Sequence, residues 1–187
     1  MALLLRAYTT PANTTATPPG APAVAVSAPF PLWPRINDNV VDGTPVSYLW
    51  NVDPLTQPDV DAGQVVTFTT TLALPTLIAA VAATVVVAVF ADNGSTTSLA
   101  LNGVPVSFSV VNPLVNGGPV VTFGEDNAPP YFWDNVVVGV AEVTLAVGAN
   151  TLTLTTTVAN YATPGIPAIS NPAGYLAEVR VYAPIAV

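Results

Sequence analysis

The sequence predicts an all-β protein, a jelly-roll β-sandwich carrying an extended Pro-rich N-terminal arm. Three observations predict it. Val, Thr and Ala recur throughout a chain that is 51% hydrophobic, with mean hydropathy +0.58, and such residues suit pleated, half-buried surfaces. Short apolar runs are separated by Gly, Asn and Pro turns, the pattern of sandwiches and barrels. No segment has a helical period long enough to assign a helix, and no internal repeat is evident.

Residues 1–43 differ from the rest. Pro11, Pro18, Pro19, Pro22, Pro29, Pro31 and Pro34, with Thr and Ala between them, predict an extended, polyproline-like arm. Two pieces of it are suited to pair as strands: Ala2 to Thr9, and Ala23 to Ala28 with Val24 and Val26 on one face. Phe30 and Trp33 lie in an apolar knob, Phe30-Pro31-Leu32-Trp33-Pro34, with nothing local to bury it. Such an arm is ordered only where it is tied to its own domain or to a neighbour's. Leu3-Leu4-Leu5 is too short for a signal-peptide core, and Arg6 follows it rather than precedes it.

Residues 44–187 form the predicted sandwich domain. Val46 to Val52 contains Tyr48 and Trp50, and Gln64 to Leu74 is a strand with Thr on one face. Ala80 to Ala91 is a Val-rich central strand ended by Asp92-Asn93-Gly94. Thr97 to Leu101, the turn Asn102-Gly103 and Val104 to Val111 make a hairpin, because Asn-Gly between apolar runs is the strongest short hairpin signal. Val136 to Leu145 turns through Gly148-Ala149-Asn150 into Thr151 to Asn160, and Leu176 to Tyr182 closes the domain. Leu72 to Ala91 is long enough to span a bilayer by count. Pro75, the Val85-Val86-Val87 run and the absence of any Lys or Arg between Arg35 and Arg180 favour strands over a membrane span.

Composition excludes much chemistry. The chain has no His and no Cys, and its three cations are all Arg. It therefore has no Ser-His-Asp triad, thiol nucleophile, disulfide or Lys Schiff base. A net charge of -8 without a basic patch argues against nucleic acid. Only 7% of the residues are charged, where soluble surfaces carry about a quarter or more. A surface so poor in charge is suited to packing against copies of itself.

Candidate sites are few. Tyr131, Phe132 and Trp133 follow Pro129-Pro130 in a long loop, where they would stack on a sugar, anchor an interface or plug one end of the sandwich. Asp53, Asp59 and Asp61 are the densest local supply of oxygen ligands for a structural Ca²⁺, although turn chemistry explains them more simply. No other cofactor is expected. Glu142 and Glu178 fall on predicted strands near Arg180. They read as a structural ion pair rather than a hydrolytic carboxylate pair, and the chain is expected not to be an enzyme. In the arm, Leu3, Leu4, Leu5 and Tyr8, with Val24, Val26, Phe30 and Trp33, are the expected subunit contacts.

The order of motifs carries a resemblance. Tyr48-Leu49-Trp50 is followed by VVTFTTTLALP, VVVAVFADNGSTTSLALNGVPV, FWDNVVVGVAEVTLAVGANTLTLTTTVAN and AGYLAEVRV. Over residues 44–183 this resembles the galactose-binding-like jelly roll of bacterial surface proteins and carbohydrate-binding modules. It implies eight or nine strands, and a fold alone does not imply sugar binding. The arm-plus-jelly-roll layout is similar to that of self-assembling subunits of bacterial surface fibres and endospore appendages. The expectation is a subunit of an extracellular or spore-surface filament or tube, partnered non-covalently by copies of itself through the arm. The alternative is a carbohydrate-binding module of a cell-surface protein, with a glycan partner.

Overall fold

A computed structural model describes residues 1–53, 64–112, 114–115, 118–119, 136–160 and 173–184. The strands in the first part of the chain are β1 (Ala2–Tyr8), β2 (Thr14–Thr17), β3 (Ala21–Pro22), β4 (Val24–Ala25), β5 (Val40–Val41), β6 (Thr44–Pro45) and β7 (Leu49–Trp50). There follow β8 (Val65–Ala73), β9 (Val81–Asp92), β10 (Gly94–Leu101), β11 (Val104–Val106), β12 (Ser109–Asn112), β13 (Leu114–Val115) and β14 (Gly118–Pro119). The last three are β15 (Val136–Leu145), β16 (Thr151–Ala159) and β17 (Gly174–Ala183).

Two antiparallel sheets form the sandwich. Sheet A has seven strands, in the order β12-β15-β9-β17-β7-β4, with β1 also paired to β17. Sheet B has six, in the order β11-β10-β16-β8-β2-β3. The chain crosses repeatedly between the sheets, from β8 to β9, β9 to β10, β15 to β16 and β16 to β17. These crossings make it jelly-roll-like. The two sheets hold more strands than the expected eight or nine because residues 1–43 supply β1 to β4, two to each sheet.

Alternation within each strand sets the core. Val85, Val87 and Val89 of β9 and Tyr175, Val179 and Val181 of β17 are buried. So are Val66, Phe68 and Leu72 of β8 and Leu152, Leu154 and Val158 of β16. Phe68 stacks on Tyr175 across the sandwich, with centroids 4.5 Å apart, and Trp50 packs on Phe68. Each such side chain contributes about 1.5–3 kcal/mol on burial. Buried hydroxyls pair instead of remaining orphaned: Thr14 with Thr70 at 2.9 Å, and Thr156 with the half-buried Thr97 at 3.1 Å.

Most strand bounds follow the sequence pattern. Val136–Leu145 is as predicted, and the Leu72–Ala91 stretch divides between β8 and β9. Among the described residues, no helix is long and apolar enough to cross a membrane. Four details differ. The strand predicted over Val46–Val52 shortens to the two residues of β7, Leu49–Trp50. Asp92-Asn93-Gly94 is no open turn: β9 runs through Asp92 and β10 starts at Gly94, with Asn93 N donating to Ala159 O. The predicted strand Val104–Val111 breaks at Ser107-Phe108, because β11 belongs to sheet B and β12 to sheet A. The strand predicted over Ala23–Ala28 stops at Ala25, and Val24 and Val26 do not share an environment: Val24 is exposed and Val26 buried.

The outer faces of the two sheets differ. On sheet B, pairing without a bulge places Thr67 opposite Thr157, Thr69 opposite Thr155, and Thr71 opposite Thr153. Beyond β8, Thr17 and Thr15 of β2 extend the first two rows, and beyond β16 Thr96 and Ser98 of β10 do so. Sheet A is covered at one end by residues 26–48.

Candidate functional site

The N-terminal strand and its seat form the site most unlike an ordinary sandwich edge. β1 lies antiparallel to β17, from Ala2 opposite Ala183 to Tyr8 opposite Glu178, with a bulge at Leu4 between Leu3 and Leu5. Leu4, Leu5 and Ala7 pack partly buried against the core, Tyr8 is buried, and Leu3 is exposed. The strand is anchored at its end by Thr9, whose N–H donates to Ala177 O and whose Oγ1 accepts from Ala177 N, both at 2.9 Å.

A charged cluster fixes this seat. Glu178 points outward from sheet A yet is fully buried. Its Oε1 accepts from Arg6 Nε at 2.6 Å, its Oε2 lies 3.4 Å from Arg180 Nε, and Asn37 Nδ2 also donates to Oε2. The bond to Glu178 raises the Arg6 pKa, and burial raises that of Tyr8. Tyr8 in turn donates through its hydroxyl to Ile36 O at 2.8 Å. Glu178 thus holds the expected structural ion pair, whereas Glu142 is exposed and accepts from Thr84 Oγ1 instead.

Residues 26–48 form a flap over the same face. Val26 N donates to Tyr48 O, and the Asp42-Gly43 turn, with φ 49° and 78°, closes the β5–β6 hairpin. Trp33, expected to lack a local partner, packs on Tyr48 and Phe90 with centroids 4.9 and 5.4 Å away. Its indole Nε1 donates to Asp92 Oδ2 at 2.9 Å. Burial pushes the Asp92 carboxyl up to about 8, against the pull of that bond and one with Asn93. Phe30 is half-buried against the core. The Asp92 carboxyl, which the sequence offers as an oxygen ligand or more simply as a turn residue, thus anchors the flap. Its place on the outer side of β9, at even spacing from Phe90, was the available signal.

Other expected residues sit elsewhere. Tyr131, Phe132, Trp133, Asp59 and Asp61 lie outside the described residues. Asp53 accepts from Ser27 N at 3.4 Å. Among the described residues, no group of three or more His, Cys, Asp or Glu is placed to hold a metal ion. The site offers docking chemistry: an apolar strand, an ion-paired seat and an aromatic-latched flap. Comparison with protein-family models, curated proteins and solved structures finds no match to this chain.

Proposed function

We propose that the chain is a structural subunit that assembles non-covalently with copies of itself into an extracellular or spore-surface filament or tube, its N-terminal arm docking on a neighbour. The observation that carries this reading is the character of β1 as an edge. Natural sheet edges are kept short or broken by Pro. β3 and β4 have two residues each, β11 has three including Pro105, and β12 has four. β1 has seven, ALLLRAY, without Pro, and among the described residues it pairs only with β17.

Every copy carries both the strand and the seat it fills, so exchange of β1 between copies needs no new complementarity. Residues 9–13, with Pro11, join β1 to β2 and would straighten in the exchange. Low charge over the chain reduces repulsion between copies. The motif order that resembles surface-protein jelly rolls supports the extracellular setting.

A disulfide test suits a chain without cysteine. Leu3 and Tyr182 are directly opposite on β1 and β17, and paired strand positions suit a disulfide. A Leu3→Cys/Tyr182→Cys variant is oxidised after assembly and run on a non-reducing gel beside electron microscopy. A ladder of linked chains supports the exchange. Filaments whose disulfides are all within one chain would overturn the arm's role. Monomers alone, for the unmodified chain at any concentration, would overturn the subunit reading itself.

A further inference from the structure

The outer face of sheet B takes no part in the β1 seat, the flap or the ion pairs, and residues 1–43 contribute only β2 and β3 to its edge. The sequences of β2, β8, β10 and β16 contain no Asp, Glu, Lys or Arg. The face is built on β8 and β16, whose nine-residue ladders pair without a bulge. Three successive Thr pairs, Thr67–Thr157, Thr69–Thr155 and Thr71–Thr153, make a two-by-three array of hydroxyls and methyls. Backbone pairing sets its repeats: about 4.8 Å across the strands and about 6.7 Å along them, since every second residue faces outward. β-Branched Thr has a restricted χ1, so the array is ordered before anything binds. One pair is further ordered by a 3.0 Å bond between the Thr67 and Thr157 hydroxyls.

The chemistry selects among occupants. A sugar-binding platform needs ring faces to stack on, and no aromatic residue lies on the outward positions of these strands. A protein partner would strip water from ranks of hydroxyls, which is costly unless each finds a new bond. Ordered water imposes neither demand. Its oxygens are neutral and repeat on the same few-ångström scale. Hydroxyls bond to them while methyls sit between them.

We propose that this threonine face binds ice, holding a layer of ordered water in register with a growing crystal. The inference is independent of the self-assembly reading. The purified full-length chain is tested by nanolitre osmometry for thermal hysteresis and by ice-recrystallisation assay. The variants are Thr155→Lys at the centre of the array, Thr71→Lys at its end, and Thr144→Lys on the outer side of sheet A as a control. Circular-dichroism melting establishes that each is folded. Faceted ice and hysteresis in the unmodified chain and in Thr144→Lys, abolished in Thr155→Lys and reduced in Thr71→Lys, are the expected results. Absence of ice shaping by the unmodified chain would overturn the proposal, as would full activity in Thr155→Lys. Loss of self-association in Thr155→Lys without any ice activity in the unmodified chain would identify a docking face and likewise overturn it.

Discussion

Arg6 Nε donates to Glu178 Oε1 at 2.6 Å across a sequence separation of 172 residues. This bond ties the first strand of the chain to the last. The carboxylate is fully buried while the Arg6 side chain is 31% exposed, so the anion depends more on the pair than the cation does. Removing one partner of a buried pair leaves an uncompensated charge.

Arg6→Ala is therefore expected to cost about 2 kcal/mol in urea unfolding at pH 7, discounted for the exposure of the arginine. Arg180, 3.4 Å from the other carboxylate oxygen, is expected to cost about half as much when replaced by Ala. Equal losses would show that the two arginines share the charge evenly.

Asp92 predicts a pH dependence. Its pKa in the folded chain is about 8, against an ordinary 3.8. Between those values the folded chain retains a proton that the unfolded chain has lost. Stability therefore falls as pH rises from about 4 to about 8 and levels off above, by at most about 6 kcal/mol from this group. Asp92→Asn keeps an acceptor for Trp33 Nε1 and removes the titration. Its unfolding free energy is expected to vary less over that window and to exceed that of the parent chain at pH 8.

Gly174 lies under the Trp33 ring, and a Cβ added there would run into the ring carbons. Gly174→Ala is expected to lift Trp33 off its seat and to cost about 1–3 kcal/mol, the usual range for overpacking. Faster limited proteolysis within residues 26–48, with a red-shifted tryptophan emission, checks that the flap and not the sandwich has loosened.

The Asn102-Gly103 turn has φ of 51° and 80°. Gly103→Ala forces a side chain into the left-handed region, although nothing crowds the added Cβ. The expected loss is about 1 kcal/mol in thermal unfolding. Asn102 is better suited to its place, because its side chain also bonds Thr151 N and Asn150 Oδ1.

Local pattern carried the strands. Alternation in TLTLTTTVAN places Leu152, Leu154 and Val158 inside and Thr153, Thr155 and Thr157 outside, and the side-chain period of two requires nothing further. The Asn-Gly turn is equally local. The absence of His, Cys and Lys likewise removed whole reaction classes before any fold was known. The seat of β1 was not legible, because which strand a terminal ALLLRAY joins depends on which edge the sandwich leaves open. Nor was the buried state of Asp92. A carboxylate beside Asn and Gly reads as a turn until the flap, from residues 59 positions away, brings Trp33 Nε1 to it. The rows of Thr were visible one strand at a time, but their alignment was decided by pairing between β2, β8, β16 and β10. Sequence periodicity determined which way each side chain points. Long-range register alone decided what it meets, because hydrogen-bonded neighbours in a sheet need not be neighbours in the chain.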